Sequence, residues 1–266
     1  DAIVSRLVPS AVLAGDGVTL PSDTSPVIPP DEAAAMTRGP LGAYRSGDPN
    51  RPAYIVFTSG TSGRPQGVVH AHRAIWARRM MWDDWYGLTP QDRLLHAGAF
   101  NWTYTLGTGL MDPWTRGATA LVPAPGTSRA DLARMISQHA VTIFAAAPGV
   151  YRQMLDAVDR LDAPALRHGL SAGEAMPPRV AAGWRKLTGT PVFQALGMSE
   201  ISTFVSSGPT RPAPDGSSGF PQRGRRVAIL GEDGQPVPRG KVGILAVSDR
   251  DPGLMLVYLD DDEATE

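Results

Sequence analysis

Between about residue 92 and residue 206 short apolar runs alternate with amphipathic stretches in a regular order. Runs of three to five residues at Arg93–His96, Ala118–Val122, Thr142–Ala146, Leu170–Ala172 and Pro191–Ala195 predict strands. Stretches with helical spacing at Leu106–Trp114, Arg129–His139, Gly149–Asp159 and Pro178–Leu187 predict the helices between them. Strand and helix in strict alternation imply an α/β fold with a parallel sheet. Upstream, Tyr54–Phe57 reads as a buried strand, Val68–His70 as its continuation and Ala74–Trp85 as a helix. Residues 1–50 mix short apolar runs with turns, and Pro26, Pro29 and Pro30 interrupt any long helix. Asp31–Met36 predicts a short helix capped by Asp31. After Ser206 the chain turns Gly-, Pro- and Ser-rich, then predicts two strands, Arg226–Leu230 and Val242–Val247, with a turn at Glu232–Gly234. Subdomain boundaries are expected near residues 86 and 206.

Composition narrows the class. The 266 residues are 42% hydrophobic and 19% charged, with a formal net charge of −1, which describes a soluble globular protein and excludes a basic nucleic-acid surface. With no cysteine, disulfides, thiolate nucleophiles and cysteine metal sites are excluded. No apolar run is long enough to span a membrane, and the first residues lack a signal-peptide profile, so a cytoplasmic protein is expected. His96, His139 and His168 show no metal-ligand spacing and read as structural; Asp83–Asp84 and Asp260–Asp262 read as solvated acidic turns.

The densest chemistry lies directly after the Tyr54–Phe57 strand. Thr58, Ser59, Gly60, Thr61, Ser62, Gly63, Arg64, Pro65, Gln66 and Gly67 carry three glycines and four hydroxyls in ten residues. Glycines let successive backbone N–H groups converge on phosphate oxygens, and hydroxyls add neutral donors. No Gly-Lys-Ser/Thr ending is present, which argues against a Walker-type site. Taken alone, the loop also fits a flexible surface segment.

The order Phe57 to Val68, followed by Val69-His70-Ala71-His72-Arg73, resembles the signature loop of the adenylate-forming superfamily, which includes acyl-CoA synthetases, peptide-synthetase adenylation domains and luciferases. Further stretches resemble the same family in the same order. Ala99 to Thr105, with Trp102, Thr103 and Tyr104, is similar to one wall of its acid pocket; alone, Trp102 and Tyr104 read as core aromatics. Ser171 to Pro177 is similar to its strand-end motif, where Gly173, Glu174 and Ala175 would seat the adenine. Gln194 to Glu200 resembles its Tyr-Gly-x-Thr-Glu motif, with Ala195, Leu196, Gly197, Met198 and Ser199 near the nucleotide and Glu200 holding magnesium. The stretches from Gly219 to Leu230, Gly240 to Leu245 and Met255 to Leu259 resemble the small barrel that follows.

The resemblance implies flavodoxin-like parallel sheets flanked by helices plus part of a small β-barrel. The expected segments are residues 1–86, the remainder of a first α/β subdomain with the phosphate loop; 87–206, a second with the acid and adenine sites; and 207–266, a partial barrel. It implies ATP-dependent activation of a small carboxylic acid as an acyl-adenylate, then transfer to coenzyme A, with ATP, magnesium and coenzyme A as partners and a homodimer allowed. Thr58 to Gly63 with Gln66 and Gly67 would hold phosphates, and Thr61 and Glu200 would serve catalysis. Thr103, Tyr104, Gly197, Thr203 and Phe204, beside Trp102, would line the acid pocket in the manner of benzoate-type and medium-chain acyl-CoA ligases, with no charged side chain among them.

Three positions depart from the family. Gln66 stands where Lys is usual, removing a positive charge that would face the polyphosphate and so weakening ATP affinity or turnover. Leu196 replaces a stacking aromatic, and Val257 replaces a Gly. The family's ribose-binding Asp and its lysine-bearing C-terminal domain have no counterpart here, so the expectation is a fragment with weak adenylation by itself. Loading of a carrier protein, or a catalytically idle nucleotide-binding remnant, are the alternatives left open.

Overall fold

The computed structural model describes residues 2–15, 18, 20, 25–58, 65–214 and 216–265. The chain falls into two units, residues 1–48 and 49–266. The first contains α1 (Ala2–Leu7), the parallel pair β1 (Val12–Leu13) and β2 (Val27–Ile28), and α2 (Pro30–Met36). Pro29 in an extended conformation precedes α2, with no side-chain cap; Asp31 lies within the first turn instead of capping it. Proline suits that start because its fixed φ and missing N–H cost a helix nothing there.

The second unit opens with a hairpin, β3 (Pro52–Thr58) and β4 (Gln66–Ala71), then α3 (His72–Ala77). The helix expected over Ala74–Trp85 is split: α3 ends at Ala77, and a wider π-type turn covers Trp82–Tyr86, closed by Gly87 at φ +56°. The split lets Arg78 and Asp84 point inward. Asp84 is therefore no solvated turn residue; it is 4% exposed and accepts from Arg223 Nε at 2.7 Å and from the Arg223 backbone. Burial alone would raise its pKa, but the bonds from Arg223 bring it below the usual carboxylate value.

The predicted alternation then follows as β5 (Arg93–His96), α4 (Thr103–Leu106), α5 (Asp112–Arg116), β6 (Thr119–Leu121), α6 (Arg129–Gln138), β7 (Ile143–Ala145), α7 (Pro148–Ala157), β8 (His168–Ser171), α8 (Pro178–Thr188) and β9 (Val192–Met198). A second π-type turn, Gly107–Met111, joins α4 to α5. Strands β6, β5, β7, β8 and β9 are parallel neighbours in that order, and β10 (Ser202–Ser206) and β11 (Phe220–Pro221) extend the sheet antiparallel. A separate antiparallel pair, β12 (Val227–Leu230) and β13 (Ile244–Val247), is followed by β14 (Val257–Tyr258), which returns to pair with β4, and by α9 (Asp262–Thr265).

Strand alternation divides the core. Leu95 and Phe144, paired across β5 and β7, face one layer with Leu132, Ile136, Tyr151, Met154 and Trp184 from α6, α7 and α8. Leu94 and Ile143, one residue earlier, face the other layer with Met81, Trp85, Tyr86 and Tyr104. Each fully buried side chain of this kind contributes about 2–3 kcal/mol. No helix among the described residues is long and apolar enough to cross a membrane.

Candidate functional site

Because β5, β8 and β9 run parallel, the segments that leave them share one edge of the sheet, the edge where open α/β sheets hold ligands. Those segments are the approach to α4 through Trp102, the loop Ala172–Pro177, and the turn Met198–Ile201. Together they enclose a cavity of about 150 Å³ lined by Trp102, Thr103, Tyr104, Ala172, Gly173, Gly197, Met198, Ser199, Ser202 and Thr203. No charged side chain is among them.

Two glycines make the slot. Gly173 has φ +96°, and a Cβ there would lie 2.7 Å from Cη2 of Trp102, whose indole crosses it. Gly197 pairs with Thr203 across β9 and β10, where a Cβ would meet the Ser202 carbonyl and sit 2.7 Å from the Thr203 Cα. The rings of Trp102 and Tyr104 meet edge to face at 6.1 Å, and the Tyr104 hydroxyl donates to the Leu170 carbonyl at 3.1 Å.

Of the residues expected along the acid wall, Trp102, Thr103, Tyr104, Gly197 and Thr203 come together at this cavity. Phe204 does not. It packs with Ile201 and Val205 against Val227, Val247 and Leu254. The reason is a bulge: Thr203 pairs with Gly197 but Val205 with Leu196, leaving Phe204 as an extra residue turned to the core. Met198 and Ser199, expected beside the nucleotide, line the cavity as well. Glu174 and Ala175 are exposed on the loop after β8, Ala195 is buried under the sheet, and Leu196 is 40% exposed.

Glu200 stands at the tip of the β9–β10 turn. Its Oε1 accepts from the Tyr258 hydroxyl at 2.6 Å, and its carbonyl accepts from the Met255 N–H at 2.7 Å. Tyr258 in turn pairs with Val68 of β4, which ties the carboxylate to the hairpin that carries the hydroxyl-rich loop. Burial and then Glu200 push the Tyr258 hydroxyl above its usual pKa. A second tie runs from His70 on β4, whose Nε2 donates to the Ser199 carbonyl at 2.8 Å while its ring stacks on Tyr54 at 4.7 Å. Burial lowers the His70 pKa to about 4, so the ring is neutral near pH 7.

Thr58 and Gln66 close the described ends of the hairpin, pairing with each other. Ser59, Gly60, Thr61, Ser62 and Gly63 lie outside the described residues. Buried Gly67 pairs with Phe57, and the Gln66 carboxamide donates to Asp261 Oδ2 at 3.0 Å. Asp261 also accepts from the Ala264 N–H, so it is engaged and not a solvated turn. Among the described residues no cluster of three acidic or imidazole groups gathers. The donor set fits magnesium nonetheless, because that ion commonly takes one protein carboxylate and completes its shell with phosphate and water oxygens.

Motif order gives no role to one buried ion pair behind the cavity. Arg78 (3% exposed) meets Asp112 (2% exposed) through Nε–Oδ1 at 2.8 Å and Nη2–Oδ2 at 2.7 Å. Tyr86 donates to the same Oδ2 at 2.8 Å, and Arg78 Nη1 reaches Ser202 Oγ at 2.6 Å. The available signal is slight: Arg78 stands with Arg79 ahead of Met80-Met81, and Asp112 directly follows Leu110-Met111.

Comparison with known proteins bears on the family and the fold. The chain is 29% identical over 217 residues to the mitochondrial acyl-coenzyme A synthetase ACSM3 of Rattus norvegicus, covering 79% of this chain and 37% of the relative. It is 32% identical over 190 residues to the 3-hydroxybenzoate–CoA ligase of Aromatoleum sp. (strain CIB), covering 70% of this chain and 36% of that one. The chain thus spans little more than a third of the length of these relatives. The fold matches a benzoate CoA ligase from Burkholderia xenovorans LB400 at a TM-score of 0.86 and 23% identity, over 99% of this chain and 56% of that one. It matches the anthranilate CoA ligase AuaEII, solved with anthranoyl-AMP, at 0.85 and 24%, over 99% and 54%. Residues 9–259 match the AMP-binding enzyme family, and the chain belongs to that family.

Proposed function

We propose that the protein activates a small carboxylic acid with ATP, forming an acyl-adenylate and releasing pyrophosphate, and passes the acyl group to coenzyme A. The observation that carries this is the placement of Glu200. Tyr258 joins its carboxylate to the phosphate hairpin, and the turn that bears it also walls the acid-sized cavity. Two anions must approach each other in such a reaction, so positioned donors and a cation are needed to offset their repulsion. Magnesium, when bound, supplies that positive charge. Glu200 would hold it, Ser199 and the hydroxyls from Thr58 to Ser62 would face the phosphates, and Gly173 to Ala175 with Leu196 would border the adenine. The uncharged, partly aromatic cavity supports an aryl or short acyl acid over an amino acid, whose ammonium group would call for a carboxylate. Relatives named for benzoate and 3-hydroxybenzoate support the same class.

The test is the binding of ATP to this chain with and without magnesium. Magnesium is expected to tighten binding in the wild type and to have little effect in Glu200→Gln; equal magnesium dependence in both would defeat the assignment. Acid-dependent, coenzyme-A-dependent thioester formation by the natural full-length protein tests the activity itself. One observation favours a second reading, nucleotide binding without turnover: the Gln66 carboxamide is committed to Asp261 and brings no charge to the phosphates. Pyrophosphate release at a substantial rate would dismiss it.

A further inference from the structure

The reversal that carries Glu200 is closed by a residue in an unusual conformation. Ser199, Glu200 and Ile201 connect Met198 of β9 to Ser202 of β10, and Met198 and Ser202 pair with each other. Hairpins this short commonly close on a left-handed residue, most often glycine. Here that residue is Ser202, with φ +67°. A residue with a Cβ enters this region about five- to thirty-fold less readily than the usual ones, so it persists where its surroundings hold it.

The holding group is Arg78. Its Nη1 donates to Ser202 Oγ at 2.6 Å, while Nε and Nη2 donate to Asp112. The guanidinium lies against Gly107, where a Cβ would overlap Cζ. Tyr86 braces the same Asp112 carboxylate and meets the Thr108 hydroxyl at 2.8 Å. Arg78 therefore offers the turn a rigid donor. Ser202 Oγ has one other contact, the Met81 sulfur at 4.0 Å, so the charged bond is its main anchor. Arg78 does not itself line the cavity, and its effect passes through the backbone. On the far side of the turn, Glu200 is met by the Met255 N–H and the Tyr258 hydroxyl. Both bonds depend on where the turn carries residue 200, and a changed φ at Ser202 would redirect it.

We infer, on the reading that Glu200 holds magnesium, that Arg78 is a positioning residue for it. By pinning Ser202, Arg78 keeps the β9–β10 turn in the left-handed form that sets the Glu200 carboxylate against Tyr258. The effect is conformational, so a residue that adopts the left-handed form unaided can replace it.

The experiment measures by calorimetry how far magnesium tightens ATP binding to the 266-residue chain, with no acid present. Arg78→Met with Asp112→Leu removes the pin and its counter-charge together. The magnesium effect should then fall roughly tenfold, or to none where the wild-type effect is smaller. Adding Ser202→Gly, which accepts the left-handed backbone but brings no charge, should restore it to within about threefold of wild type. A magnesium effect that survives in the double variant, or that Ser202→Gly fails to restore, would overturn the inference. If the double variant is unfolded by circular dichroism, Ser202→Ala and Ser202→Gly are compared with Arg78 in place. Neither can accept its bond, and the magnesium effect should be roughly tenfold larger with Ser202→Gly; equal effects overturn the inference. Glu200→Gln separates the two readings. A full magnesium effect in that variant brings down the metal role of Glu200 and this inference with it. Loss there without loss in the double variant brings down the pin alone.

Discussion

Removing the Asp112 carboxylate tests whether the buried ion pair holds the site's rear wall. In Asp112→Ala, Arg78 keeps a full charge at 3% exposure and loses two hydrogen bonds, while Tyr86 loses one. An unpaired buried charge costs about 3–5 kcal/mol, a large part of the roughly 5–15 kcal/mol that stabilises a typical domain. With a urea slope of about 2–3 kcal/mol per molar, the unfolding midpoint should drop by roughly 1.5 M, followed by tryptophan fluorescence from Trp82 and Trp85. Replacing both partners, Arg78→Met with Asp112→Leu, removes the charge along with its counter-charge and should recover at least half of the loss. The reasoning is refuted if Asp112→Ala loses less than about 1 kcal/mol, or if the double variant loses the sum of the two single ones.

Acid should destabilise the fold well above the carboxylate range. Burial lowers His70 and His168 to about 4 and His96 to about 3, from 6.5. Between pH 6.5 and 4 the unfolded chain therefore binds protons that the folded one does not. Stability falls with pH by about 1.4 kcal/mol per unit for each histidine, whereas Asp84 and Asp92, lowered from 3.8, matter only below that value. A melting temperature that is flat from pH 7 to 5 contradicts this. Gly197→Ala should cost about 1–3 kcal/mol and abolish adenylate-mimic binding, since the new methyl meets backbone of β10; thermal melts and titration read both. Gln66→Lys should tighten ATP binding roughly fivefold by adding a charge beside the phosphates, and no change would show that the Asp261 contact holds the side chain away.

The strands of the central sheet were legible because each is a short apolar run with helix-period sequence on both sides, and Arg93–His96 falls at the expected residues. Ends of helices were less so, since the wide turns at Trp82–Tyr86 and Gly107–Met111 arise from what is buried beside them. Thr103, Tyr104 and Gly197 could be named from motif order, whereas Ser202 could not, because its partner Arg78 lies 124 positions away. The direction of Phe204 depended on one extra residue in a strand, which alternation alone does not reveal. Likewise Tyr258 shows nothing in sequence of its bond to Glu200, which forms only when β14 folds back onto β4.

The bulge at Phe204 has an evolutionary consequence. Because β10 sets Thr203 at the cavity and Phe204 into packing, adding or deleting one residue in the preceding turn would swap those destinations. Selectivity at this rim can therefore diversify by exchanging side chains, while changes of length are penalised by the hydrophobic interior behind it.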